Sequence, residues 1–139
     1  MPCPYFHPIG QLAWPNAPRL PLGDAYAGHC EADPGFPADP DPATLRDCCN
    51  LGYARGKCAR FPDANGPDAV RFAVTADNGG YVTIYWVREK GHEPFDHGPL
   101  EYSRDAGVFT GSAGEAVQRQ AHAYVASYLR RKSRMRPLS

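Results

Sequence analysis

The sequence predicts an α+β protein: a small antiparallel sheet of two hairpins, packed by a C-terminal helix, with an irregular Pro/Gly-rich N-terminal lobe. Three observations lead there. All five cysteines, Cys3, Cys30, Cys48, Cys49 and Cys58, fall in the first 58 of 139 residues. Twelve of the fifteen prolines lie between Pro2 and Pro67, too many for regular structure in that stretch. Beyond Pro67 the pattern turns to β-type alternation and then to a helical stripe.

In the front lobe, residues 1–67, one short helix is predicted. Asp41 is its N-cap, Pro42 its first residue, and Ala-Thr-Leu-Arg-Asp-Cys-Cys-Asn follows until Gly52 stops it. The rest of the lobe reads as loops with a few fixed turns. Loops of that length need a staple to stay ordered. The second part, residues 68–139 of the same single domain, opens with a strand over 69–76 in which apolar and polar residues alternate. Asp77-Asn-Gly-Gly80 is a turn signal, and the β-branched and aromatic run 81–88 pairs back as a hairpin. A second hairpin joins 99–103 to 108–110 through Arg104-Asp-Ala-Gly107. A helix then runs from residue 112 or 113 to about Arg131, with Ser112 as cap and Glu115 at the third position. Val117, Ala121, Tyr124, Val125, Tyr128 and Leu129 form its apolar stripe, spaced to lie on a sheet.

Charge excludes some function classes. The formal net charge is zero, so no global field draws the chain to nucleic acid or to a membrane surface. Up to Asp68 there are five Lys/Arg against eight Asp/Glu, and beyond it ten against seven. Most of that positive excess is the terminal set Arg130, Arg131, Lys132, Arg134 and Arg136. No aromatic interleaves them, so they read as a solvated helix end complementing the dipole rather than a nucleic-acid surface. The opening MPCPYFHPIG has neither the basic start nor the apolar run of a signal peptide, and no stretch is apolar enough to span a membrane. A reducing cytoplasm is therefore the expected compartment. There, cysteines serve as thiols, redox centres or metal ligands, and an odd total of five argues against a closed disulfide framework.

The cysteines supply the staple: the front lobe is read as metal-binding. Cys3, Cys30, Cys49 and Cys58 form the expected ligand set. Cys3 is held extended between prolines in Cys3-Pro-Tyr-Phe-His-Pro8, Cys30 follows Gly28-His29, and Cys58 closes the segment from Cys49. Adjacent Cys48 and Cys49 do not both suit one tetrahedral centre, and Cys49 is taken as the ligand with Cys48 as a spare buried thiol. Structural zinc favours close ligand pairs, and no Cys-x-x-Cys occurs, whereas a wider iron–sulphur cube takes thiolates from distant loops. Zinc and unmetallated thiols stay open as alternatives. Tyr5, Phe6, Trp14, Tyr26, Phe36, Tyr53 and Phe61 are placed to exclude water. Arg55, Lys57 and Arg60 would offset the negative charge of a cube, and Gly52 and Gly56 would let backbone N–H groups approach its sulphurs. His7 and His29 are alternative ligands, read first as outer hydrogen-bond donors to the centre.

The opener Cys3-Pro-Tyr-Phe-His-Pro8, the Gly28-His-Cys30 step and the run from Asn50-Leu-Gly-Tyr-Ala-Arg-Gly-Lys-Cys58 to Pro62 resemble a group of small, uncharacterised bacterial four-cysteine iron–sulphur proteins. The likeness extends into the sheet and final helix. It implies a cluster held by cysteines and implies no activity. High-potential iron–sulphur proteins are similar more loosely, in size and aromatic density, but their paired Cys-x-x-Cys is missing here.

The expectation is a small 4Fe-4S protein for electron transfer or redox sensing, with a redox protein as partner and no catalytic residues. A zinc- or cluster-stapled interaction module, or an accessory subunit of a larger redox enzyme, is the alternative. One other stretch carries chemistry. His92, Glu93, Asp96 and His97 could hold a second metal or act as acid and base, but their spacing matches no ligand set and reads as a polar hairpin loop. No phosphate-cradling Gly-rich loop, nucleophile elbow or dinucleotide fingerprint is present.

Overall fold

The computed structural model describes residues 2–12, 21–32, 39–50, 58, 61, 67–91, 93–111 and 113–135. They form two antiparallel sheets and a long helix, the α+β class the sequence predicts. A two-stranded ribbon of β1 (Phe6–Leu12) and β2 (Ala25–Cys30) comes first. A short helix, α1 (Pro42–Thr44), runs directly into a π-helical turn over Leu45–Asn50. Then β3 (Ala69–Asp77), β4 (Tyr81–Lys90), β5 (Glu93–Ser103) and β6 (Val108–Thr110) make a four-stranded meander, and α2 (Glu115–Met135) closes the chain.

The β1–β2 ribbon replaces part of what composition predicts as loop. Proline does not prevent it, because Pro8 sits at the bulge between β1 and β2, where a missing N–H breaks no regular ladder. The ribbon is also packed from outside. Phe6 is fully buried, and α2 lies against β1. Two strands alone would be marginal in water, so that cover is what makes the ribbon viable.

In the larger sheet the 77–80 turn forms as expected, with Asp77 and Asn78 accepting from the backbone N–H groups of Gly79, Gly80 and Tyr81. The stretch 89–98 departs from the expected loop. β4 continues to Lys90, Gly91 takes a left-handed φ of 57°, and β5 starts at Glu93. Pro94 and Pro99 are tolerated there because β6 pairs only with Glu101 to Ser103, leaving the earlier part of β5 as a free edge. Phe95 is the extra residue of a bulge in that edge and is exposed.

Val82, Ile84 and Trp86 alternate along β4 toward the core, with Val70 and Phe72 beside them on β3. α2 covers that face with Val117, Ala121 and Val125, while Tyr124, Tyr128 and Leu129 pack at its margin. The helix begins at Glu115 rather than at the third position after a Ser112 cap, and Ser112 lies outside the described residues. Gln118 secures this entry by accepting from the Ala113 N–H at 3.3 Å. The expected solvated tail is partly tied down: Arg130 pairs with Asp24 at 2.9 Å, Arg131 donates to the Gly23 carbonyl, and Lys132 pairs with Asp77. Among the described residues, no helix is long and apolar enough to cross a membrane.

Candidate metal centre

Cys3 precedes β1 in a tight turn, closed by the Phe6 N–H donating to the Cys3 carbonyl at 3.1 Å. Its own N–H donates to the Cys49 carbonyl at 3.1 Å, which draws the π-helical turn alongside. The preceding Pro2 is fully buried, and its carbonyl accepts from Val70 of β3. Cys3 is thus fixed between the π-helical turn and the sheet.

Cys30 ends β2 directly opposite Phe6. The Gly28-His-Cys30 step has a steric origin. A Cβ at Gly28 would overlap the His7 carbonyl oxygen and lie 2.9 Å from the Phe6 ring, so only glycine lets the two strands close here. Cys48 and Cys49 lie in the π-helical turn. The predicted N-cap holds, with Asp41 accepting from Thr44, but the backbone then widens instead of continuing as an α-helix. Such widening is frequent at functional positions. Asn50 fixes it: its side chain exchanges bonds of 3.0 Å with the N–H and C=O of Tyr26, and donates to the Leu45 carbonyl at 2.9 Å. The amide acts as a short third strand joining the turn to β2.

Cys3, Cys30, Cys48 and Cys49 are buried, Cys58 is half-buried, and none of the five is in a disulfide. They share one neighbourhood. Burial drives the Cys49 thiol far above its ordinary range, and charge on Cys3, Cys30, Cys58 or Cys48 would raise it further. Burial likewise pushes the Cys3 thiol up to about 12; an N–H from Tyr5 opposes this, while Cys30, Cys58 and Cys48 add to it. The same local contact recurs at Cys30, whose sulphur accepts the Ala32 N–H at 3.4 Å. Two cysteines therefore each receive the amide of the residue two positions on. Tyr5 packs edge-on against Phe61 with ring centroids 5.5 Å apart, and Phe6 and Tyr26 are buried in the same core cluster as Cys3, Cys48 and Cys49. Of the other expected surroundings, Trp14, Phe36, Gly52, Tyr53, Arg55, Gly56, Lys57 and Arg60 lie outside the described residues.

The histidines do not serve the thiols. In the ribbon His7 pairs with His29 and Phe6 with Cys30, so strand alternation sends the imidazoles to the face opposite Cys30. There the rings stack, 5.4 Å apart and 13° from parallel. Their Nε2 atoms reach one oxygen of Glu31, at 2.7 Å from His7 and 3.5 Å from His29. Among the described residues, this is the set whose ligand atoms lie within 4.8 Å of one another, and the sulphurs make no group that tight. Glu31 goes unnoticed in the sequence. Reading 25–31 as a strand would have found it, since Ala27, His29 and Glu31 then share a face.

The titratable stretch on β5 is dispersed. Arg88 clasps Asp96, Tyr85 bonds His97, and the two pair on opposite faces of the strand. His92 lies outside the described residues. Comparison with protein-family models, curated proteins and solved structures finds no match to this chain.

Proposed function

We propose that this protein carries one 4Fe-4S cluster on Cys3, Cys30, Cys49 and Cys58 and uses it for electron transfer or redox sensing with a protein partner. The observation that carries the reading is that unbridged cysteines from four separate stretches, the opening turn, the end of β2, the π-helical turn and Cys58, lie within reach of one another's charge. Buried thiols that raise one another's pKa resist becoming thiolates on their own. A cationic core would remove that conflict, because metal binding displaces the protons and compensates the charge. Bound there, a cluster supplies reversible one-electron chemistry.

The chain's own part is to bury, orient and tune. The amides of Tyr5 and Ala32 donate to the sulphurs of Cys3 and Cys30, and such bonds are a known lever on cluster potential. One spacing argument weighs against zinc. A single zinc ion with 2.3 Å bonds needs sulphurs about 3.8 Å apart. Among the described residues no three sulphurs lie within 4.8 Å of one another, and a cube is wider than a single ion. Four cysteine ligands would leave no iron position open, which favours electron transfer over substrate turnover.

Anaerobic purification tests this. Brown protein with about four iron and four sulphide per chain, bleached by dithionite, is the expected result. Colourless protein holding one zinc per chain would overturn it in favour of a structural staple.

A further inference from the structure

The two faces of the β1–β2 ribbon carry different chemistry, thiol on one and imidazole with carboxylate on the other. We propose that His7, His29 and Glu31 form a second metal site, separate from the thiols, that takes a divalent first-row transition cation such as Fe2+ or Zn2+.

Convergence is the central argument. Two histidines directly opposed across the ribbon aim the same ring nitrogen, Nε2, at a single carboxylate oxygen. Bonds of 2.0–2.2 Å at tetrahedral angles place such ligand atoms roughly 3.4 Å apart. The His29–Glu31 edge is already 3.5 Å, and the His7–Glu31 edge of 2.7 Å must open by roughly 0.7 Å. The backbone holds the three residues in place: Gly28 sets the close approach of the strands, and the Glu31 N–H bonds the Tyr5 carbonyl at 3.0 Å.

Donor type and access narrow the occupant. Two imidazoles and one carboxylate suit zinc, iron, cobalt or nickel, whereas calcium and magnesium prefer all-oxygen shells. His7 is buried, but the His29 and Glu31 side chains remain 27% and 31% exposed. A cation would enter from that side and keep coordination positions open to water, as catalytic sites do and closed structural sites do not. The competing occupant is a proton, which would make the triad a simple imidazolium–carboxylate pair.

Co2+ titration of the full chain, purified anaerobically with its thiol centre intact, decides between them. The expected result is one further Co2+ per chain, with weak ligand-field absorption and no sulphur-to-cobalt charge-transfer band. His29→Gln and Glu31→Gln should each weaken it by more than about tenfold, since losing even an outer-shell partner costs that much. Both residues are half-exposed, so circular dichroism and iron content should match the parent chain. Paramagnetic broadening of the His7 and His29 proton signals in the parent chain is a second readout that needs no variant. No uptake, uptake unchanged in both variants, or histidine signals that respond to pH but not to Co2+ would overturn the proposal. Iron content and the sulphur band report on the thiol centre separately, so either reading can fail alone.

Discussion

Gln120, in α2, donates from one amide nitrogen to the Cys3 carbonyl at 2.7 Å and to the Phe6 carbonyl at 2.8 Å. A fully buried polar side chain on the C-terminal helix thereby fixes the turn that presents the first cysteine. Replacing Gln120 by Leu removes both bonds and leaves the Cys3 carbonyl only the bond from the Phe6 N–H. We expect a loss of about 2 kcal/mol in urea unfolding. Metal release to a chelator should speed up in step. Unchanged release despite the lost stability would mean that the brace does not serve the thiols.

Cys48 and Cys49 separate by single exchange. Cys49→Ser, like Cys3→Ser, Cys30→Ser and Cys58→Ser, should abolish iron uptake measured by absorption and metal analysis, whereas Cys48→Ser should keep it. Retention in Cys49→Ser with loss in Cys48→Ser would reassign the fourth ligand. Because burial holds the Cys3 and Cys49 thiols protonated at neutral pH, loading should also release protons, measurable in weakly buffered solution with a pH dye.

Gly28→Ala should separate β1 from β2, since the added methyl meets backbone at His7 rather than a side chain that could swing away. The expected loss is about 2–3 kcal/mol, with faster amide exchange at the ribbon's paired residues. Amide protection equal to that of the parent chain would refute the steric account.

Asp77 provides a pH handle far from the cysteines. Hydrogen bonds from Lys132 and Tyr128, then from the Gly79 N–H, hold its carboxyl well below the usual carboxylate range. A depressed folded pKa stabilises the fold above the unfolded value of about 4 and loses that contribution as pH falls through the folded value. Asp77→Asn should therefore cost about 1 kcal/mol at pH 7, discounted because Lys132 is half-exposed. The gap to the parent chain should narrow below about pH 4 in denaturant titrations. A gap independent of pH would exclude the ionised carboxylate as its source.

Local pattern was enough for much of this protein. Alternation over 69–76 and 81–88, the Asp77-Asn-Gly-Gly80 turn and the stripe from Val117 to Leu129 each depend on neighbours within a few residues, and they predict the hairpin and helix observed. The Asp41 cap was legible for the same reason. Glu89 to Gly98 misled because its proline and charges look like a loop, and only the free edge of β5 makes them acceptable in a strand.

What the sequence alone determined was the list of chemical groups and the elements built from short-range contacts. Tertiary structure decided which groups meet. Gln120 reaches Cys3 across 117 positions and Asn50 reaches Tyr26 across 24, and no local periodicity encodes such contacts. It also decided sidedness, because a strand sends neighbouring residues to opposite faces: His29 and Cys30 are adjacent in the chain yet belong to two different chemistries.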